Sequence, residues 1–197
     1  MAKKKSRNLL RKALLDSIRA KKALFSKSVF DSILCAAEKI VEAYRKGNKV
    51  LLYGNGGSAS DSLHIAGELL GRFGHQIERP ALPAISLAEN PSAITAISND
   101  YGYLDSFARQ LDGLGCPGDV AIGISTSGNS PNVLEATRLA RKKGLFTIGL
   151  TGGSGGKLKQ LAHLSMCVPV NNTQRIQESH ITIGHALCEL VEKALYG

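Results

Sequence analysis

Residues 49–60 read Lys-Val-Leu-Leu-Tyr-Gly-Asn-Gly-Gly-Ser-Ala-Ser. The apolar run at 49–53 has the length and branched content of a strand covered on both faces. It passes straight into Gly54-Asn55-Gly56-Gly57-Ser58, after which a helical pattern begins. Glycines let the backbone approach a ligand closely, and a helix start offers unpaired N–H groups and the positive end of a dipole. The turn therefore suits an anion. Gly54, Gly56 and Ala59 also match the G-x-G-x-x-A spacing of dinucleotide sites. The acid that usually follows about 20 residues later is misplaced: Glu89 comes 35 residues after Gly54, and Glu78 falls before the next strand. The dinucleotide reading weakens accordingly.

A second turn of the same kind follows the run at 120–124. It reads Ser125-Thr126-Ser127-Gly128-Asn129-Ser130-Pro131, with four hydroxyls in six residues and a proline suited to the first turn of a helix. A Ser/Thr-rich loop alone is often only a helix cap. Two anion-suited turns after neighbouring parallel strands favour a phosphorylated small molecule instead.

Further apolar runs at 82–87, 145–150 and 164–168 alternate with helical patterns at 28–45, 58–72, 104–114, 131–142, 156–161 and 173–195. Strands alternating with helices imply right-handed crossovers and a parallel sheet. The predicted fold is a doubly wound α/β domain with a five-stranded parallel sheet, spanning 28–197 and preceded by a basic helical segment, 1–27. Ligands of such sheets bind beyond the carboxyl ends of the strands, where both turns fall.

The 197 residues suit one domain. The net charge of +9 points toward nucleic acid, but its placement argues otherwise. Residues 1–27 hold ten basic side chains and one acid, and the remainder is balanced. Leu9, Leu10, Ala13, Leu14, Ile18 and Leu24 recur there at near-helical intervals, as in a helix that packs on a partner and exposes a basic face. Neither a nucleic-acid nor a membrane partner is expected. Cys35, Cys116, Cys167 and Cys188 lack metal-knuckle spacing and fit free thiols in the cytoplasm.

The chemistry-bearing side chains sit on two predicted helices. His64 and Glu68 are four residues apart, about 40° around one face. On the last helix Gln177 and His185 are about 80° apart, whereas His180 and His185 are about 140° apart and face different surroundings. His75, His163 and His180 are read as structural. Together His64, Glu68, Gln177 and His185 offer a nitrogen and oxygen set suited to Zn²⁺, although spacing does not fix the third and fourth ligands. A phosphate cradle, a carboxylate and an imidazole suit proton transfer on a sugar phosphate, in which a general base is worth about 10² to 10⁴-fold.

These motifs, with Glu78-Arg79-Pro80, Ser98-Asn99-Asp100-Tyr101-Gly102, Leu150-Thr151-Gly152 and Arg175-Ile176-Gln177-Glu178, resemble the sugar isomerase (SIS) domain family from about residue 50 to 190. The resemblance implies a flavodoxin-like sheet and phosphate contacts at Ser58, Ser125, Thr126, Ser127 and Ser130. Asn55, Gly56 and Gly57 would line the same pocket, and Asn99 and Asp100 would meet the sugar. It implies Glu68 as catalytic base, His185 as catalytic histidine, and in some members a zinc ion on His64, Glu68, Gln177 and His185. The implied reaction is the aldose–ketose isomerisation of sedoheptulose 7-phosphate, in a homotetramer with sites at subunit contacts. A non-catalytic relative that binds a replication-initiator protein is the competing expectation. It lacks the carboxylate and the histidine, both present here.

Overall fold

Val50–Gly54 (β1) is buried at every position, as is Val120–Ser125 (β3) beside it. Both strands therefore lie inside a sheet covered on two faces. A computed structural model describes residues 2–197. Around these strands stand Ala84–Ser86 (β2), Phe146–Gly152 (β4) and Leu164–Val168 (β5), all parallel, in the order β2-β1-β3-β4-β5. The chain leaves β1 toward β2 and returns to β3 on the other side. Between β1 and β3 lies the switch point where open α/β sheets bind ligands.

Alternation along each strand feeds two cores. Val50, Leu52, Ile122, Ile124, Ile148 and Leu150 pack under Lys27–Arg45 (α2), Gly57–Leu70 (α3) and Thr173–Tyr196 (α8). Leu51, Tyr53, Ala121 and Leu145 face Ala108–Leu114 (a helix ahead of β3), Pro131–Lys142 (α6) and Gly156–Leu161 (α7). Each large aliphatic side chain so buried is worth about 1.5–3 kcal/mol.

The expected five-stranded doubly wound sheet is present, and the basic segment forms the helix Ala2–Ala23 (α1). The stretch at 87–107 differs from its sequence reading. Pro91–Tyr101 forms a helix (α4) where none was expected, followed by a 3-10 turn at Tyr103–Asp105. The predicted helix at 104–114 is accordingly only Ala108–Leu114, which we number α5. No residue of α4 is buried, although Ile94, Ile97 and Tyr101 recur there at helical spacing. Its start was also legible: Asn90 accepts a hydrogen bond from the Ala93 N–H through its side chain, and Pro91 occupies the first turn.

Candidate active site

The turn after β1 is held open by Gly56, whose φ of +56° suits glycine. Asn55 locks it to α6: its Nδ2 donates to Asn132 Oδ1 at 2.8 Å, and Asn132 Nδ2 donates back to Asn55 Oδ1 at 2.9 Å. Tyr103 Oη also donates to Asn55 Oδ1, at 2.8 Å. The turn after β3 is braced from the other side. Gly128 has φ +65°, and a Cβ there would collide with the Gly155 carbonyl. Leu158 N–H donates to the Gly128 carbonyl at 2.9 Å. Ser125 Oγ lies 2.9 Å from Ser130 Oγ and 3.5 Å from Ser127 Oγ. Ser130 precedes α6 but its side chain makes no capping bond. Ser127 Oγ also accepts from Asn129 N–H at 3.2 Å, as a local turn cap, but capping does not account for Ser130, whose hydroxyl, among the described residues, pairs only with that of Ser125. Thr126 and Ser127 also line a polar cavity of 240 Å³ with Gly153, Asn171 and Thr173.

The second half of the site lies along the seam of α3 and α8. His64 Nε2 lies 3.1 Å from Glu68 Oε1 on α3, and His185 Nε2 on α8 lies 3.3 Å from His64 Nε2. The two rings meet edge to face, 4.9 Å apart. Gly184 makes this approach possible, because a Cβ there would run into the buried Ile65 side chain. Gln177 rests against Gly57, at the start of α3. His64 is seven residues beyond Gly57, about 10 Å along the helix.

Donor atoms of His64, Glu68 and His185 lie within 4.8 Å of one another. Two imidazole nitrogens facing each other at 3.3 Å need a proton or a cation between them, because two bare lone pairs repel. His64, Glu68 and His185 are donors of the kind Zn²⁺ takes, whereas the Gln177 amide, expected as a fourth ligand, rests at Gly57, about 10 Å along α3 from His64.

His180, on the same helix as His185, behaves differently. It is fully buried and its Nε2 bonds the Thr151 carbonyl at 3.0 Å. Burial pushes its pKa down to about 4, against a smaller opposite effect of that bond. His163 pairs with Thr147 and stacks on Phe146, while His75 stands exposed on the loop after α3. Asn99 and Asp100 lie at the exposed end of α4, where Asn99 Nδ2 donates to Asp100 Oδ1 at 2.8 Å. Among the described residues no hydrogen bond joins them to the seam.

Sequence reading missed several members. Asn132 and Tyr103 are reached only across the fold, so no local spacing marks them. Asp61, on the His64 face of α3, was visible as Asp-x-x-His. Its carboxyl is pushed up to about 6 by burial, with His64 opposing, and its Oδ2 has no protein partner. Phe73 packs on the His185 ring at 5.6 Å between centroids.

The SIS domain family profile matches residues 14–152. The chain is 55% identical over 164 residues to the phosphoheptose isomerase of Roseiflexus sp., covering 83% of this chain and 82% of that protein. It is 53% identical over 172 residues to that of Aquifex aeolicus, covering 87% and 89%. The solved phosphoheptose isomerase of Francisella tularensis superposes with a TM-score of 0.90 at 36% identity, over 95% of this chain and 98% of that one. The one from Neisseria gonorrhoeae gives 0.88 at 38% identity over the same shares. On profile, identity and superposition alike, the chain belongs to the SIS domain family, among its phosphoheptose isomerases.

Proposed function

We propose that this protein interconverts sedoheptulose 7-phosphate and D-glycero-D-manno-heptose 7-phosphate. The observation that carries the reading is the meeting of Glu68, His64 and His185 from two separate helices, beside turns built for an anion. The phosphate is held by Ser58, Ser125, Thr126, Ser127 and Ser130, with Asn55, Gly56 and Gly57 closing over it. Asn99 and Asp100 meet the sugar hydroxyls at a contact completed by assembly.

Glu68 takes the proton from C1 of the ketose. The C–H electron pair becomes the C1–C2 double bond, and the C2 carbonyl oxygen takes up a proton. His185 supplies that proton and accepts one from the C1 hydroxyl, which becomes the aldehyde. Glu68 then returns its proton to C2, so nothing is oxidised or reduced overall. His64, Glu68 and His185 would hold Zn²⁺, with Gln177 the fourth ligand that the family resemblance implies, and the ion when bound would supply electrostatic stabilisation of the enediolate oxygens.

A homotetramer is part of the proposal. Leu9, Leu10, Leu14 and Ile18 are 50–71% exposed along α1, and a 430 Å³ apolar groove lies between Phe25, Phe30, Ile183 and Leu190, away from the reacting groups. Both faces call for apolar cover, and residues 1–27 serve as the assembly segment. We assign the protein to the cytoplasm, in keeping with four unpaired thiols. Among the described residues no helix is long and apolar enough to cross a membrane. A non-catalytic module finds no support among the relatives.

The test is turnover of sedoheptulose 7-phosphate in a coupled assay, with and without a chelator. Glu68→Gln and His185→Ala should each lower kcat by about 10²-fold or more while inorganic phosphate still binds. Unchanged kcat in either variant would overturn the assigned roles.

A further inference from the structure

The segment Glu78-Arg79-Pro80 has no part in the reaction just described, yet Arg79 is among the most enclosed charged residues of the chain. Its side chain is 1% exposed, and that of its partner Glu192 on α8 is 4% exposed. Arg79 Nε donates to Glu192 Oε2 at 2.6 Å. The other end of the guanidinium caps α3: Nη2 donates to the Glu68 carbonyl at 3.0 Å and Nη1 to the Leu69 carbonyl at 2.9 Å. Nη1 also reaches the Pro80 carbonyl at 3.0 Å. The Glu68 and Leu69 carbonyls are among the last of α3, which no helical N–H can satisfy, and a cation is favoured at that end of a helix.

The Glu192 carboxylate holds a second element. It accepts from Phe73 N–H at 3.0 Å through Oε2 and from Gly74 N–H at 2.9 Å through Oε1. Phe73 is the residue whose ring packs on His185. Glu192 lies seven residues after His185, two turns along the same face of α8. One buried carboxylate is therefore joined to the backbone of Glu68 through Arg79, and to the ring of His185 through Phe73. Burial pushes the Glu192 carboxyl up, but the bonds from Arg79, Gly74 and Phe73 outweigh that and hold it below the usual range.

A buried ion pair is a weak source of stability, since well-packed apolar replacements are often as stable or more so. Geometry is a better account of this one. A misplacement of about 1 Å at reacting groups can cost about 10²-fold in rate. We propose that Arg79 and Glu192 are positioning residues for the isomerisation, clamping α3, the 71–83 loop and α8 so that Glu68 and His185 meet. The proposal rests on the function given above.

Glu192→Gln keeps the shape and an acceptor oxygen but loses the charge, and Arg79→Lys keeps the charge but loses the fork. Each should lower kcat about 10- to 100-fold, with KM within about two-fold and inorganic phosphate affinity unchanged, because the phosphate turns lie elsewhere. The ring Cε1–H NMR signals of His64 and His185 should move, while that of His163, at the β4–β5 edge, stays. Arg79→Met/Glu192→Leu should recover thermal stability without recovering kcat.

Wild-type protein that does not turn over the sugar phosphate would defeat the function, and the ring signals would still decide the clamp. The clamp is overturned if a folded variant keeps kcat within two-fold, if its two ring signals do not move, or if kcat and phosphate affinity fall together. Failure of all three variants to fold also overturns it, by making the pair a requirement of folding alone.

Discussion

His180 and His185 stand five residues apart on one helix and do unrelated work. His185 shares the seam with His64, while His180 turns into the core and spends its Nε2 on the Thr151 carbonyl. A pKa lowered to about 4 means that folding disfavours the charged ring. Above the ordinary value of 6.5 both folded and unfolded rings are neutral and no stability is lost. As pH falls toward 4 the unfolded chain takes up the proton first, at about 1.4 kcal/mol per pH unit, or about 3 kcal/mol by pH 4. Asp61 contributes with the opposite sign, because its raised carboxyl binds a proton more readily in the folded state. Urea unfolding of wild type and His180→Gln at pH 7.5 and 5.0 isolates the histidine share. The variant should lose less stability on acidification, and equal losses would refute the buried-neutral assignment.

At the scale of elements, the site is the seam of α3 and α8, and its width is set by Gly184 against Ile65. Gly184→Ala gains about 1 kcal/mol of helix propensity but overpacks the seam, at a cost of about 1–3 kcal/mol. The expected net effect is a melting temperature lower by a few degrees, with a larger loss of kcat, measured at fixed protein concentration. A variant with raised stability and full activity would show that the seam tolerates widening. Helix α4 illustrates the opposite case. Ile94, Ile97 and Tyr101 recur there at helical spacing, yet the helix buries nothing within one chain. The residues implied to meet the sugar, Asn99 and Asp100, lie on that uncovered helix.

At the scale of the molecule, sheet order brings the two glycine- and hydroxyl-rich turns together. β1 and β3 are direct neighbours, with Gly54 paired to Ile124, although about 70 residues separate them in sequence. Assembly is the other question of this scale. α1 is tied to α8 by Arg175, whose Nη1 donates to the Ala13 carbonyl, while its outer leucines remain bare. Placing charges on that stripe, as in Leu10→Glu/Leu14→Glu, should convert the proposed tetramer to smaller species by light scattering at unchanged helix content. An unaltered mass would remove α1 from the interface.

What this chain's sequence determined by itself was local: strand and helix alternation, both turns, and the His64–Glu68 pair. Those features depend on neighbours within a few residues, where backbone sterics and the helical period decide. Tertiary structure alone decided that His185 meets His64 across 121 positions and that Asn132 reaches Asn55 across 77. It alone joined Arg79 to Glu192, 113 residues away. Contacts of that range follow from how crossovers stack helices on a twisted sheet, so a buried charge finds its partner only after the layers have closed.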